Sequence, residues 1–480
     1  MAKKTNLFDN LPRESLLALI KHQSERIALL EAENAELEKR LEKLEAQLAK
    51  NSTNSSKPPS SDGLKKPKPK SRREKGKRQS GGQLGHEGHT LEMVSTPDVV
   101  VRHDVSVCGE CQADLSKQEA LRVVKRQVFD LPPMRLQVTE HQAEVKVCAC
   151  CQTPTRAPFP DEVKAPVQYG ANVLAHAAYL NSYHLIPLAR VREWFVDCVG
   201  QAVSEATIEK AVQQLADRVA PALDVIYEGV TRSSVVHFDE TGLRINKRLA
   251  WLHTACTEDL SYYIVHLKRG DEALLDAGVL PNCRGWAVHD GLKAYFSFET
   301  VRHALCNAHH LRELDFAHEH YKAHWAKQMI KLLLKMKKHD DEQTLTATLI
   351  HELEAEYDQL LAKGFEAFPI QPRPPNYKGR FPQHTVTNLL IRLRDDREAV
   401  LAFLNHPEVP FDNNLAERDL RMMKVKQKIS GCFRTWHGAE VFAAVRTYLA
   451  TARKQGVSML NAAYLAFCGT PFIPAIPSGG

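Results

Sequence analysis

Between residues 234 and 297 the apolar pattern changes period, and no other feature constrains the fold as tightly. Helical spacing gives way to short β-rich runs. "SVVHFDET" is a brief apolar run that ends in Asp239. "RLAWLHTACTEDLSYYIVHL" reads as a hairpin, two β-rich runs around Thr257-Glu258-Asp259. "DEALLDAG" is helical, "RGWAVHDGLKAYF" holds a buried strand ending in Asp290, and "VRHALCNAHHL" supplies a further strand. Three antiparallel strands, a helix and a parallel strand predict an α/β core, a mixed sheet in the order of the ribonuclease H-like fold.

Two strands that each end in an aspartate place the carboxylates side by side if the first and fourth strands are neighbours. Like charges that close repel, so Asp239 and Asp290 need a cation to stay ionised together. A strand-end aspartate alone says little, because many cap the next turn. The third carboxylate is Glu417, in "DNNLAERDLRMMKVKQ". Drawn as a helix, this stretch puts Leu415, Met422, Val425 and Ile429 on a core face and Glu417, Arg421, Lys424 and Lys428 opposite. One reading is a solvated face with a Glu417–Arg421 pair. The other is an acid that holds a metal while cations hold a polyanion. Two Asp and one Glu form an all-oxygen site suited to Mg²⁺ or Mn²⁺. Two such ions about 4 Å apart serve attack and departure at phosphorus. Residues 291–416, largely of helical pattern, read as a helical insertion, about 307–405, that splits the core.

The N-terminal half is modular. Residues 24–50 carry heptads, with Ile27, Asn34, Leu41 and Leu48 at a and Leu30, Leu37 and Leu44 at d. That predicts a coiled coil, with Asn34 setting a parallel two-stranded register. Arg26–Glu31 and Arg40–Glu45 favour the pairing and Glu33–Glu38 opposes it. A flexible segment rich in Ser, Asn, Pro and Gly follows, with a basic block that includes Lys65, Lys66, Lys68, Lys70, Arg72 and Arg73. Such a block binds polyphosphate by counterion release; the plain alternative is a solubilising tail. Cys108-x2-Cys111 and Cys148-x2-Cys151 offer four thiolates in two knuckles, the donor set of a structural Zn²⁺. Cys150 is an extra thiol, and the strand-like "LRVVKRQVFDL" and "RLQVTEHQAEVKVC" between the knuckles suggest a zinc ribbon. Residues 165–230 form helices on both sides of Val199-Gly200, with Ser204 as a cap; they are a candidate helix-turn-helix, although plain bundles contain such pairs too.

Net charge is only +6, so its distribution matters more than its sum. No apolar run has the ~18 residues of a membrane span, and no signal peptide opens the chain. A cytoplasmic protein with reduced cysteines and no membrane partner is expected.

Taken in order, these pieces resemble the DDE transposases of the insertion sequence 66 family. The likeness rests on the zipper, "NSSKPPSSDG", "GGQLGHEGHTL", the knuckles around "RQVFDLPP", "VVHFDET", "WAVHDGLKAYF", "CNAHHLREL", "DNNLAERDLR" and "SGCFRTWHGAE". It implies Asp239, Asp290 and Glu417 as a catalytic, metal-binding triad. It also implies a bacterial mobile element, a nucleoid-associated protein, small accessory proteins and double-stranded DNA, both element ends and target, as partners. Two stretches depart from the family pattern, the extra thiol of "CACC" and the tail after Ala463.

The expected organisation is a zipper helix at 1–50, the seat of a homodimer or higher oligomer, and a basic linker at 51–100. A zinc-binding module at 101–164 and a helical DNA-binding region at 165–230 follow. The catalytic domain occupies 231–430 and a C-terminal segment 431–480. Arg418, Arg421, Lys424 and Lys428 would line the DNA backbone beside the metals, and Asn413 and Asn414 would cap their helix. The expected activity is metal-dependent cutting of element ends and their transesterification into target DNA. A structure-specific nuclease and a catalytically silent, transposon-derived DNA-binding protein are the alternatives. Cys306, His309 and His310 read as a packed strand end, and His237 and His289 as core or supporting groups.

Overall fold

A computed structural model describes residues 12–51, 54–55, 90–379 and 381–476. The basic block from Lys65 to Arg73 lies outside the described residues. The chain divides into two compact units, Met1–Pro69 with Pro158–Arg192 and Val203–Gly480, and Lys70–Ala157 with Glu193–Ala202.

The second unit contains two short strands among its described residues, β1 (Val145–Val147) and β2 (Pro154–Arg156), paired antiparallel across the second knuckle. A single bridge, Val107 to Asp114, spans the first knuckle in the same way. The longer strands expected between the knuckles do not form. Their side chains have nothing to pack on: Leu121 is 99% exposed, Val128 92% and Val138 89%. A β-rich run without a covered face gains nothing from a ladder.

In the first unit, α1 (Arg13–Ala49) is one helix that starts well before the heptads, and Ile27, Leu30, Leu37, Leu41, Leu44 and Leu48 are all exposed on it. Helices α2 (Ala171–Ser182), α3 (Leu188–Val199), α4 (Glu205–Arg218) and α5 (Ala220–Arg232) follow, α3 running on into the second unit. Ser204 caps α4, its Oγ accepting from Thr207 N–H at 3.1 Å.

The sheet comprises β3 (Val235–Ile245), β4 (Arg248–Cys256), β5 (Ser261–His266), β6 (Trp286–His289) and β7 (Arg302–Leu305), in the order β5-β4-β3-β6-β7. β3, β4 and β5 are antiparallel neighbours; β6 runs parallel to β3, and β7 to β6. The α6 (Asp271–Ala277) and α7 (Val279–Asn282) helices link β5 to β6. β3 continues six residues past Asp239 and turns into β4 through Asn246 and Lys247, both at positive φ (45° and 66°), the geometry of a tight hairpin. Asp239 therefore sits inside its strand, not at its end. The polar "ETG" that looked like a terminus stays extended because Glu240 is buried with partners of its own.

One sheet face packs Ile226, Val230, Val236, Phe238 and Leu274. The other packs Leu243, Leu252 and Tyr263 against Leu420, Met423 and Phe442. Between β7 and the basic helix come α8 (Asn307–Tyr321), α9 (His324–Asp341), α10 (Ala347–Ala367), α11 (Thr385–Asp395), α12 (Arg397–Val400) and α13 (Ala402–Asn405), around a core with Leu314, Met329, Tyr357 and Leu390. The basic helix α14 (Asn414–Ser430), α15 (Trp436–Lys454) and α16 (Met459–Phe467) complete the unit. α14 lies on β3 and β4. Its buried stripe is Leu415, Ala416, Leu420 and Met423, whereas Val425 and Ile429 are about half exposed, at 47% and 45%. The stripe is rotated from the expected face because Leu420 and Met423 pack on Leu243, Leu252 and Tyr263 of the sheet. No described helix is long and apolar enough to cross a membrane.

Candidate active site and cysteine knuckles

β3 and β6 are adjacent, and their last register pair is His237 with Val288. Asp239 and Asp290 each lie two residues beyond that pair, so parallel strands in register deliver both carboxylates to the same end of the sheet. Asp239, Asp290 and Glu417 are all half-buried. Burial raises the Asp239 carboxyl well above the usual range; Glu240, Asp290 and Glu417 raise it further, and the Glu240 N–H it accepts at 2.9 Å opposes them. Asp290 Oδ1 accepts from Leu292 N–H at 3.0 Å, which fixes the turn after β6.

Glu417 comes from α14. Its ion pair is with Arg312 (3.8 Å) of α8, not with Arg421 on its own helix, and a ring nitrogen of His309 lies 3.9 Å from the same carboxylate. Arg418, Arg421, Lys424 and Lys428 are exposed along α14. Burial lowers the Lys424 ammonium, and the charge of Asp239 partly restores it.

Asn413 holds this helix in place, by a different route from a cap. Its side chain makes no cap bond to α14. His237 Nδ1–H donates to Asn413 Oδ1 at 2.8 Å, and Asn413 Nδ2 donates to the Phe238 carbonyl at 2.7 Å. Its N–H donates to Cys306 Sγ at 3.1 Å, and its carbonyl accepts the N–H of Glu417 at 3.3 Å. One buried residue thus ties β3, α8 and α14 together beside Asp239, its side chain holding β3 and its backbone the start of α8 and α14. The turn is capped instead by Asp412, whose Oδ1 accepts from Asn414 N–H at 3.1 Å.

Glu240 is the second group that sequence reasoning passed over. It is 8% exposed, takes Arg269 Nε–H at 2.7 Å and accepts from Tyr295 Oη–H at 2.7 Å. Burial and Asp290 raise its carboxyl, and Tyr295 and Arg269 counter them. An acidic residue inside an apolar alternation was the available signal. His237 and His289 are buried and hydrogen-bonded. Gly291 N–H donates to His289 Nδ1 at 3.1 Å, which leaves His289 Nε2–H to donate to His303 Nδ1 at 3.1 Å. Cys306 is not at a strand end: β7 stops at Leu305, and Cys306 is the N-cap residue of α8, which carries His309 and His310.

The knuckles repeat one backbone pattern. Cys108 N–H bonds the Ala113 carbonyl and Cys148 N–H the Thr153 carbonyl, at 2.8 and 3.0 Å. Gln112 and Gln152 take positive φ (61° and 54°) and return their N–H groups to the carbonyls of Cys108 and Cys148. Backbone and Cys111 hydrogen bonds lower the Cys108 thiol, and bonds from Thr153 and Cys148 lower Cys151 to about 7. Both effects favour thiolate, as a zinc knuckle requires. All five cysteines of the module are free thiols, and the four knuckle sulfurs do not converge to ligating distance as one set.

The model of the Transposase IS66 family matches residues 166–441, a span that encloses Asp239, Asp290 and Glu417. A model for the zinc-finger binding domain of transposase IS66 matches residues 106–152, with all four knuckle cysteines inside it. Residues 8–92 match a family of unknown function. No curated protein matches the chain significantly. The first match covers more than half of the chain, which therefore belongs to the IS66 transposase family.

Proposed function

We propose that the protein cuts the ends of its element and joins them to target DNA by metal-dependent transesterification, on a ribonuclease H-like sheet. The observation that carries this reading is the pairing of β3 with β6, which delivers Asp239 and Asp290 to one end of the sheet beneath Glu417. The strand order, three antiparallel strands followed by two parallel ones, agrees with that fold.

The donor set fits a hard divalent cation. Burial and the neighbouring carboxylates raise the proton affinity of Asp239, and a cation relieves what a proton otherwise must. Mg²⁺ or Mn²⁺ held by Asp239, Asp290 and Glu417 would supply Lewis acidity at the attacking and leaving oxygens. The protein's own groups do the positioning. Arg269 and Tyr295 neutralise Glu240, so it does not compete for the cation. Asn413 fixes Glu417 against β3. The exposed cations of α14 neutralise backbone phosphates and set the register of the duplex. Water attacks phosphorus first and the bond to the 3′ oxygen breaks. The freed 3′-hydroxyl then attacks a target phosphodiester in line. Each joining step exchanges one phosphodiester for another, so no ATP is consumed.

Cys108, Cys111, Cys148 and Cys151 would hold one Zn²⁺, which supplies the module with folding energy. The exposed a and d residues of α1 would pair with a second copy, with Asn34 fixing the register; Lys65, Lys66, Lys68, Lys70, Arg72 and Arg73 would add sequence-independent DNA affinity. Purified protein incubated with its element ends and a target plasmid tests the reading. Joined product supports it. Cleaved but unjoined ends would make the protein a nuclease, and a mobility shift alone would make it a DNA-binding protein.

A further inference from the structure

Cys306 Sγ, a ring nitrogen of His309 and a carboxylate oxygen of Glu417 lie within 4.8 Å of one another. This set is chemically unlike the three-carboxylate set beside it. Sulfur, imidazole and carboxylate together suit Zn²⁺ and other thiophilic ions and are poor ligands for Mg²⁺. We propose that Cys306, His309 and Glu417 form a second metal site, for a thiophilic divalent cation, at the start of α8.

The surroundings favour such an ion. His309 Nδ1 is buried without a hydrogen-bond partner among the described residues, as is Nε of Arg312, which pairs with Glu417. Asn413 N–H points at Cys306 Sγ, and the N-terminus of the 15-residue α8 lies beside it; both stabilise a thiolate. When a cation binds, the Cys306 thiol proton leaves to solvent and the thiolate takes its place as ligand. Bonds of about 2.0–2.3 Å place tetrahedral ligands about 3.3–3.7 Å apart. A small rotation of the half-buried Glu417 away from Arg312 closes the gap.

Glu417 cannot serve both sites in full. A thiophilic ion bound here would withdraw it from the oxygen site, so zinc would restrain the enzyme. That consequence rests on the catalytic reading; the site itself does not.

The test uses the full chain carrying one equivalent of zinc, the amount the four-thiolate knuckles take, titrated with Co²⁺. A thiolate-to-cobalt absorption band should appear and saturate with one further equivalent. Cys306→Ser and His309→Ala should each remove it, with the zinc of the knuckles and the circular dichroism spectrum unchanged. Glu417→Gln should weaken Co²⁺ binding by more than about tenfold, the scale at which even outer partners of a metal act. His309→Ala touches a partly exposed residue, so it remains informative if Cys306→Ser does not fold. Absence of the band, or its persistence in Cys306→Ser or His309→Ala, would overturn the site. Loss of joining by Glu417→Gln in Mg²⁺ without thiophilic metal tests the catalytic reading separately.

Discussion

The sheet-containing unit and the cysteine unit solve the stability problem in opposite ways. The sheet is covered on both faces, and Leu243, Leu252, Ile226 and Leu314 are fully buried. The cysteine unit leaves Leu121, Val128 and Val138 almost wholly in solvent, and the strands among its described residues are one pair of three residues each. A segment that buries so little cannot offset its conformational entropy by apolar contacts. It needs a crosslink, and the thiols stand in matched knuckles where a metal would supply one. Ionisable groups are handled differently as well: the knuckles lower their thiols toward the charged form, whereas the sheet raises the Asp239 carboxyl away from it.

Metal removal should therefore separate the units most sharply. Stripping zinc with a chelator is expected to cost the cysteine unit about 10 kcal/mol, the scale of structural zinc in finger peptides. Proteolysis should then cut within residues 90–157 while the fragment beginning near residue 203 survives. Metal analysis of the Cys306→Ser protein, which lacks the second site proposed at the start of α8, should find one zinc per chain. Simultaneous digestion of both regions on chelation would show that the units do not divide as described.

The next largest effect belongs to the carboxylates. Glu417→Gln, Asp239→Asn and Asp290→Asn should each reduce joining in Mg²⁺ by about 10⁴-fold or more, and pairs should be no worse than singles, because such groups act as one unit. Binding to element ends should stay within about threefold, since an exposed pair contributes under about 1 kcal/mol. Near-normal joining by Glu417→Gln would remove it from the site.

Much of this arrangement was legible in the residues, and the exceptions have physical causes. The apolar run of "WAVH" and the β-rich hairpin place three strands directly, because a strand covered on both faces reads as a short apolar run and a half-covered one as an alternation. The end of β3 was misread, since Glu240 looks like a terminus unless Arg269 and Tyr295 are known to meet it. Asn413 looked like a cap because Asn is a common one; its true partners, His237, Phe238 and Cys306, are distant in the chain. The wrong face of α14 followed from treating the helix alone, when the sheet beneath it decides which residues are covered. In the cysteine unit the spacing of the thiols carried the information, and β-propensity misled because it presumes a surface to pack on.

Packing offers a smaller and cleaner contrast. Leu314→Ala opens a void in the buried core of the helical insertion and should cost about 2–5 kcal/mol. Val128→Ala removes a side chain 92% exposed and should cost under about 0.5 kcal/mol. Denaturant melts followed by tryptophan fluorescence measure the first, and proteolysis of the zinc-loaded protein the second. A cost at Val128 similar to that at Leu314 would mean that the cysteine unit has a covered face after all.

The smallest expected effect is a gain. Folding raises the Asp239 carboxyl through burial and through Glu240, Asp290 and Glu417. A carboxyl raised in the folded state binds more protons there than in the unfolded chain, so stability falls as pH rises from about 4, the unfolded value, through the folded one. At neutral pH without Mg²⁺ the charge on Asp239 is a net cost, and Asp239→Asn removes it. The zinc-loaded variant should melt above the parent protein in Mg²⁺-free buffer, each 1 kcal/mol recovered giving at most about 2–4 °C for a chain this long. The advantage should shrink as pH is lowered toward 4, where the parent carboxyl is protonated. It should shrink again when Mg²⁺ is added, because only the parent gains a ligand for the cation. A variant that melts lower than the parent at neutral pH would mean that Asp239 is held by hydrogen bonds worth more than its repulsion, and the case for a cation at this end of the sheet would lose its electrostatic ground.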